Sequence, residues 1–283
     1  MDDLTGRFAS YDGTQLGYRA LGTGSPLVCL PGGPGRAADY LGNLGGLDKS
    51  RRLVLLDLRG VGLSADPADR ETFRVDRMTD DVDALRAHLG LERMDLLAHS
   101  AGAILATLYA AAHPDRISRL VLVTPGLAAA GVDGTEEELH AVVESRSAEP
   151  WYPAARAALE EMLAGSMSLE AFGASRPLFY GRWDAAARAH AMVGVADRHL
   201  AARAGYFDGV ELDPAAVGAA LGTLGGSALL YAGDEDPLVT PAMVRKAAPL
   251  FREASVIIQP GIGHFPWVED PAAFAAAVNA FLA

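Results

Sequence analysis

Residues 94–102, Met-Asp-Leu-Leu-Ala-His-Ser-Ala-Gly, form the stretch of this sequence that decides its fold. A short apolar run ends at Ala98, Ser100 follows, and residues 103–112 then favour a helix. This order predicts a buried strand, a tight turn with Ser100 at its apex, and a helix. Small residues two positions before and after Ser100 allow the strand and the helix to approach each other closely.

The turn is close to the pattern G-x-S-x-G, the nucleophile elbow, in which a sharp turn lifts a serine oxygen above a sheet. Ala98 stands at the first glycine position, so the small size is kept but easy access to positive φ is lost. A serine in such a turn is often only a small turn residue. A nucleophile is therefore predicted only if a base, an acid and an oxyanion site accompany it.

Strands and helices alternate through most of the chain. An Asp12-Gly13 turn predicts a hairpin, and the later runs are apolar throughout, which is typical of a parallel sheet covered on both faces. Together with residues 94–99, the predicted strands are 7–12, 16–21, 26–30, 52–56, 119–124, 227–231 and 254–258.

The segment between the 119–124 strand and the 227–231 strand differs from the rest of the chain, because its pattern predicts helices only. We therefore predict an α/β fold with a mostly parallel eight-stranded sheet flanked by helices and carrying an inserted helical lid. The predicted parts are a first core part over 1–125, a lid over 126–224 and a second core part over 225–283.

Composition limits the possible partners. The chain has 283 residues with 24 Lys and Arg against 36 Asp and Glu, a net charge of −12, which argues against nucleic acid or an anionic membrane surface. Cys29 is the only cysteine, so no intrachain disulfide is expected. The N-terminus does not resemble a signal peptide and no apolar run is long enough to span a membrane, so we expect a cytoplasmic protein.

Cofactor and metal sites are not predicted. Residues 32–35 (Gly-Gly-Pro-Gly) follow a strand, but their spacing fits neither a dinucleotide-binding nor a phosphate-binding loop. No cluster of histidines and carboxylates has the spacing of metal ligands. The expected partner is a small molecule or a short peptide, and the sequence leaves the oligomeric state open.

Three polar residues follow three different predicted strands: Ser100, Asp236 and His264. The carboxyl ends of parallel strands meet at one edge of a sheet, where active sites assemble. His264 would take the proton of Ser100, and Asp236 would orient the imidazole and stabilise its charged form. Asp234 and Glu235 compete with Asp236 for the last role, and His264 also fits a packed loop residue.

Two backbone N–H groups are candidates for the oxyanion hole, and both lie next to these residues. One belongs to Ala101, directly after the predicted nucleophile. The other belongs to Gly33, in the glycine-rich loop after the 26–30 strand. That loop also fits an ordinary turn. His99, whose side chain points to the opposite face from its neighbour Ser100, is predicted to be structural.

Four segments of the sequence resemble the prolyl iminopeptidase-like α/β-hydrolases. The resemblance covers about 7–125 and 225–283, and it implies the α/β-hydrolase fold and a Ser-Asp-His triad in that chain order. The segments are residues 31–35 (Pro-Gly-Gly-Pro-Gly, usually His-Gly-Gly-Pro-Gly), 57–64 (Asp-x-Arg-Gly-x-Gly-x-Ser), 233–236 (Gly-x-x-Asp) and 261–264 (Gly-Ile-Gly-His, with Glu269 and Pro271 after it).

The Gly-x-x-Asp match favours Asp236 over Asp234. Two positions depart from the family: Pro31 replaces a histidine that helps to order the oxyanion loop, and Ala98 replaces the first glycine of the elbow. Neither change alters the predicted triad.

The resemblance implies an aminopeptidase or amidase that acts on small peptides or amides through an acyl-enzyme. Trp183-Asp184 is similar to a Trp-Glu pair with which the family binds a free amine, and Glu211 is a second candidate. Asp184 also fits the cap of a helix that begins near Ala185. The alternatives are an esterase or lactonase acting on a small secondary-metabolite ester and, more distantly, a catalytically inactive small-molecule receptor.

Overall fold

A computed structural model of the chain describes residues 4–165, 168–195 and 198–283. It contains the predicted eight-stranded sheet, in the order β1-β2-β4-β3-β5-β6-β7-β8. Strand β2 runs antiparallel to both of its neighbours, and every other pair is parallel. The strands are β1 (Leu4–Ala9), β2 (Gln15–Leu21), β3 (Pro26–Leu30), β4 (Arg52–Leu56), β5 (Met94–His99), β6 (Ile117–Val123), β7 (Ser227–Gly233) and β8 (Ala254–Gln259).

The described helices surround this sheet. In those ranges no helix is long and apolar enough to cross a lipid bilayer. The helices are α1 (Thr79–His88), α2 (Gly102–Ala112), α3 (Glu136–Ser145), α4 (Tyr152–Leu163), α5 (Leu169–Ser175), α6 (Ala185–Ala191), α7 (Leu200–Gly205), α8 (Pro214–Leu221), α9 (Pro241–Ala247), α10 (Pro266–Glu269) and α11 (Pro271–Phe281).

The central strands β3 to β7 are buried on both faces, as their apolar runs predict, whereas the edge strands β1 and β8 are more exposed. In β5, Leu96 and Ala98 belong to one hydrophobic core, and Leu97 between them belongs to the other. The two cores follow the two-residue period of a strand, because successive side chains point to opposite faces. Helix α2 is buried against the first core along most of its length, so the elbow is anchored on both sides.

Helices α3 to α8 all fall between β6 and β7, which are neighbours in the sheet. This is the segment predicted as a lid. Two helices end for local reasons. Helix α6 stops at Ala191, shortly before Gly194 adopts a φ of +64°. Helix α9 gives way to a 3-10 turn at Ala248–Leu250, where Pro249 has no N–H to donate.

A buried ion pair joins the glycine-rich 57–64 segment to α1. Arg59 is fully buried, and its guanidinium donates to Asp81 with N–O distances of 2.7 and 2.6 Å. A third bond of 2.5 Å runs from Arg59 to Asp12 in the hairpin turn. Ser10 also donates to Asp81. The charges of this network are paired with one another, so the network holds the three segments in register.

Removing one partner of this pair should destabilise the fold strongly. We expect Asp81→Ala to lower the free energy of unfolding by about 3–5 kcal/mol, because it leaves the buried guanidinium of Arg59 short of its main partner. Urea unfolding of both proteins measures the difference. Asp80→Ala is the matched control, since Asp80 is the exposed neighbour on the same helix, and it should cost less than about 1 kcal/mol. Equal losses in the two variants would contradict this account.

Candidate active site

The turn after β5 places Ser100 at the sheet edge in a strained conformation. Its φ is +53°, a region that costs a non-glycine residue on the order of 1–3 kcal/mol. The surrounding backbone is too close for larger residues, because a Cβ on Gly102 would lie 2.4 Å from the Pro31 carbonyl oxygen. A Cβ on Gly32 would lie 2.6 Å from the His99 carbonyl oxygen. Ala98 lies within β5 with strand geometry, so its position does not require glycine.

His264 and Asp236 are in direct contact. The Nδ1 atom of His264 lies 2.6 Å from Oδ2 of Asp236, and both side chains are buried. The other oxygen, Oδ1, accepts the N–H of Leu238 at 2.9 Å. Because a carboxylate only accepts, Nδ1 carries the proton and Nε2 is left as the basic nitrogen. Ser100 and His264 line the same cavity.

The two competing acids after β7 have other partners. Asp234 accepts the N–H of Gly261 at 2.7 Å and thereby closes the turn that leads to the histidine. The carboxylate of Glu235 lies 3.6 Å from Arg146. Of the three acids, the structure brings only Asp236 to His264.

The two candidate oxyanion donors lie where the sequence predicts them. Gly33 has a φ of +63° and lines the cavity beside Ser100, and Ala101 directly precedes α2. Within the described residues, neither amide has a hydrogen-bond acceptor. The neighbouring Gly32 N–H is occupied, since it donates to the Tyr40 hydroxyl at 2.6 Å. The N–H groups of Gly33 and Ala101 are therefore both free to donate.

Tyr40 and His99 link the oxyanion loop to His264. Tyr40 accepts from Gly32, and its hydroxyl lies 2.7 Å from Nδ1 of His99. Nε2 of His99 lies 3.0 Å from the carbonyl oxygen of His264, which can only accept. His99 is therefore neutral with its proton on Nε2, and Tyr40 donates to Nδ1. The prediction that His99 is structural fits this arrangement, but the sequence did not identify its partner Tyr40.

A second tyrosine–histidine pair packs beside the first. His190 on α6 directs Nε2 to the carbonyl oxygen of Tyr40 at 2.9 Å, and the Tyr180 hydroxyl lies 2.7 Å from its Nδ1. Burial lowers the pKa of His190 to about 4. Burial is also the main cause that lowers the pKa of His99 well below its usual range. Both imidazole rings are therefore neutral, and each connects neighbouring segments through its hydrogen bonds.

Glu269 ties the histidine loop to the helical segment. Its carboxylate accepts the N–H of Gly263 at 2.9 Å, directly before His264. The same carboxylate accepts the N–H of Gly181 at 2.6 Å and of Arg182 at 3.2 Å. The backbone of His264 also donates to the Phe179 carbonyl at 2.8 Å. The position of His264 therefore depends on both the core and the inserted helices.

The cavity above Ser100 has a volume of about 320 Å³. Part of its wall is apolar and comes largely from the helical segment, including Leu159, Met162, Phe172 and Phe179. Four arginines complete the lining: Arg36, Arg176, Arg198 and Arg203. No aspartate or glutamate of the described residues lines it. No pattern in the sequence predicts this cluster, because the four arginines share no motif or spacing.

The predicted amine-binding residues do not line this cavity, as far as the described residues define it. Asp184 caps α6 by accepting the N–H of Ala187 at 3.0 Å, and it is exposed. The Trp183 ring packs on Tyr180 with a centroid distance of 5.4 Å. Glu211 is exposed before α8. The helix-cap interpretation of Asp184 therefore agrees with the observed geometry.

Metal ligation has no candidate site in the described ranges. There, no three His, Cys, Asp or Glu side chains converge in a way that would hold a metal ion. Both ring nitrogens of His99 are engaged in hydrogen bonds, and so is Nδ1 of His264.

Comparison with known proteins agrees with the observed fold. A family model described as alpha/beta hydrolase fold matches residues 25–271. Proline iminopeptidase of Heyndrickxia coagulans is 34% identical over 108 residues, which is 38% of each chain. Cis-3-alkyl-4-alkyloxetan-2-one decarboxylase of Shewanella oneidensis is 32% identical over 121 residues, 42% of this chain and 38% of that one. The chain thus matches about two-fifths of the length of these curated relatives.

A solved structure is similar over nearly the whole chain. The esterase RhEst1 from Rhodococcus sp. ECU1013 superposes with a TM-score of 0.74 and 26% identity. The alignment covers 98% of this chain and 98% of that one. The likeness therefore extends through the helical segment, in contrast to the shorter sequence matches.

The neutral state of His190 should make stability depend on pH. Its pKa is about 4 in the folded protein against 6.5 ordinarily, so the unfolded chain takes up the proton first as the pH falls. We expect stability to be lost between pH 6.5 and 4, with His190 contributing up to about 1.4 kcal/mol per pH unit. Urea unfolding across this range should show a smaller loss in His190→Gln than in the wild type. Parallel pH profiles for the two proteins would contradict the assignment.

Loss of the Tyr40 hydroxyl should leave two buried groups without a partner. We expect Tyr40→Phe to lower the free energy of unfolding by about 1–3 kcal/mol, because the Gly32 N–H and the His99 Nδ1 atom lose their shared partner. Thermal or urea unfolding measures this change. Tyr11→Phe is the control, since Tyr11 is 49% exposed, and it should change stability by less than about 0.5 kcal/mol. A Tyr40→Phe protein as stable as the control would show that the hydroxyl is dispensable.

Proposed function

The chain belongs to the alpha/beta hydrolase fold family, and on that premise we propose that it is a serine hydrolase with Ser100 as its nucleophile. The observation that carries this proposal is the 2.6 Å contact between His264 and Asp236 beside the cavity that Ser100 lines. The free Gly33 and Ala101 amides support it, because acyl transfer needs both a base and an oxyanion site. The inactive-receptor alternative does not account for this combination.

In the proposed reaction, the Oγ atom of Ser100 attacks the substrate carbonyl and its proton passes to Nε2 of His264. Asp236 holds the Nδ1 proton and stabilises the imidazolium. The N–H groups of Gly33 and Ala101 donate to the developing oxyanion. The tetrahedral intermediate collapses as His264 protonates the leaving group, which gives an acyl-enzyme. A water molecule, deprotonated by His264, then releases the acid and restores Ser100.

Two substrate classes are consistent with the sequence. The segments shared with prolyl iminopeptidases favour a small peptide or amide with a free amine. The similarity to the oxetan-2-one decarboxylase and to the esterase RhEst1 also supports an ester or lactone substrate. The lining of the cavity favours the second class, since an ammonium group would meet arginines and none of the described carboxylates.

Chromogenic substrates distinguish these classes. We would compare a prolyl nitroanilide with a free amine, the same amide with an acetylated amine, and a simple nitrophenyl ester. Release from the free-amine amide alone would support an aminopeptidase, whereas release from the ester alone would support an esterase. The second outcome is expected from the charge of the cavity.

Triad variants test the mechanism itself. We expect Ser100→Ala, and also His264→Ala, to lower kcat by about 10⁴-fold or more, because the nucleophile or its base is lost. Asp236→Asn should cost about 10⁴-fold through the wrong imidazole tautomer. Asp234→Asn is the matched control, since it removes a carboxylate two residues away that contacts Gly261 instead, and it should retain activity. Turnover that survives Ser100→Ala would refute the proposal.

A further inference from the structure

Arginines from two separate parts of the chain meet in the cavity. Arg36 follows the glycine-rich loop of the core, whereas Arg176 and Arg198 belong to the helical segment. Arg198 and Arg203 also share one aromatic neighbour, since their guanidinium carbons lie 4.5 and 4.9 Å from the centre of the Phe172 ring. The cluster therefore exists only in the folded protein.

None of the carboxylates in the described ranges neutralises three of these side chains. Within the described ranges, Arg36, Arg176 and Arg198 form no ion pair with an aspartate or glutamate. Asp39 is the carboxylate that acts on Arg36 from a distance, and it does not reach ion-pair contact. Arg36 instead donates to the Val193 carbonyl at 2.9 Å, and Arg176 contacts the Met192 sulfur at 2.9 Å.

Two of the guanidinium groups also have unused donors. The Nε atoms of Arg36 and Arg198 are buried, and in the described part of the chain neither has a hydrogen-bond partner. Buried donors are normally satisfied, so each exception needs an explanation, and in a cavity a bound ligand can supply the acceptor. Burial and the repulsion of the other arginines lower the pKa of Arg198 to about 10. The free protein thus holds like charges together at an energetic cost that an anion would relieve.

We propose that the site selects substrates that carry an anionic group, a carboxylate or a phosphate, and that Arg36, Arg176 and Arg198 bind it. This inference rests on the proposed serine hydrolase function and names its substrate class. Guanidinium groups suit both anions, because their planar N–H groups match two oxygens at once. The apolar wall, which includes Leu159, Met162 and Leu238, receives the hydrocarbon part of the same substrate.

The chain as a whole is negatively charged, so the attraction of an anionic substrate is confined to the cavity. The protein carries a net charge of −12, so its average field repels anions. A substrate bound by the arginines must therefore gain its affinity from short-range contacts inside the cavity. Such contacts are screened by salt less than exposed ones, but the preference should still weaken as ionic strength rises.

Matched esters test the proposal. We would compare kcat/KM for the mono-para-nitrophenyl ester of glutaric acid with that of para-nitrophenyl pentanoate, which has the same chain length without the charge. A phosphonobutanoate ester distinguishes phosphate-like from carboxylate ligands, and an omega-aminopentanoate ester provides the cationic counterpart. We expect at least about a tenfold preference for an anionic ester over the neutral one, and the cationic ester should be the poorest.

Single substitutions assign the preference to the cluster. Arg176→Gln and Arg198→Gln should each reduce the anionic-to-neutral ratio by about tenfold or more, while Arg198→Lys should retain part of it. Arg188→Gln is the matched control, because Arg188 is exposed on α6 and outside the cavity lining. It should keep the wild-type ratio. A ratio that is unchanged in both cavity variants would overturn the assignment.

A binding measurement separates this inference from the proposed reaction. Calorimetry on the Ser100→Ala protein compares the affinities of the same four esters without turnover. Tighter binding of an anionic ester supports the inference even where no ester is hydrolysed. Equal or weaker binding overturns it. Ser100-dependent hydrolysis without anionic preference would leave the serine hydrolase standing and refute only the substrate class, whereas hydrolysis that survives Ser100→Ala would refute the mechanism alone.

Discussion

The close approach of the turn after β5 to the loop after β3 is the constraint on which the site depends. Neither Gly32 nor Gly102 has room for a Cβ, because each would meet a carbonyl oxygen of the opposite segment. This contact fixes the distance between the Ser100 side chain and the Gly33 amide. The strain at the positive φ of Ser100 is tolerated because buried β5 and α2 hold the turn from both sides.

Hydrogen bonds of two neutral side chains also connect these two segments to the third part of the site, the loop that carries His264. Tyr40 and His99 connect the Gly32 amide with the carbonyl of His264, so the oxyanion loop and the histidine loop share one support. The Tyr40 hydroxyl orders the loop that carries Pro31 by accepting the Gly32 N–H. Because buried imidazoles form these bonds only when neutral, the support is sensitive to acid.

The core and the inserted helical segment supply different parts of the cavity. The core supplies Ser100, Asp236, His264 and the candidate oxyanion amides, to which we assign the proposed chemistry. The helical segment supplies most of the apolar wall and the arginines other than Arg36, to which we assign substrate selection. The proposed chemistry and selection therefore belong to different parts of the chain, although Glu269 joins these parts through its bonds to Gly181 and Gly263.

The sequence by itself determined the sheet, the elbow and the identity of the polar residues at the strand ends, because each depends on a local pattern. Apolar runs and the Asp12-Gly13 turn located all eight strands to within a few residues, and the Gly-x-x-Asp segment favoured Asp236 over its neighbours. Only the tertiary structure decided that Tyr40 pairs with His99 and that Arg36 and Arg198 line one cavity. Those contacts join segments with no shared periodicity, so only the folding of the chain brings them together.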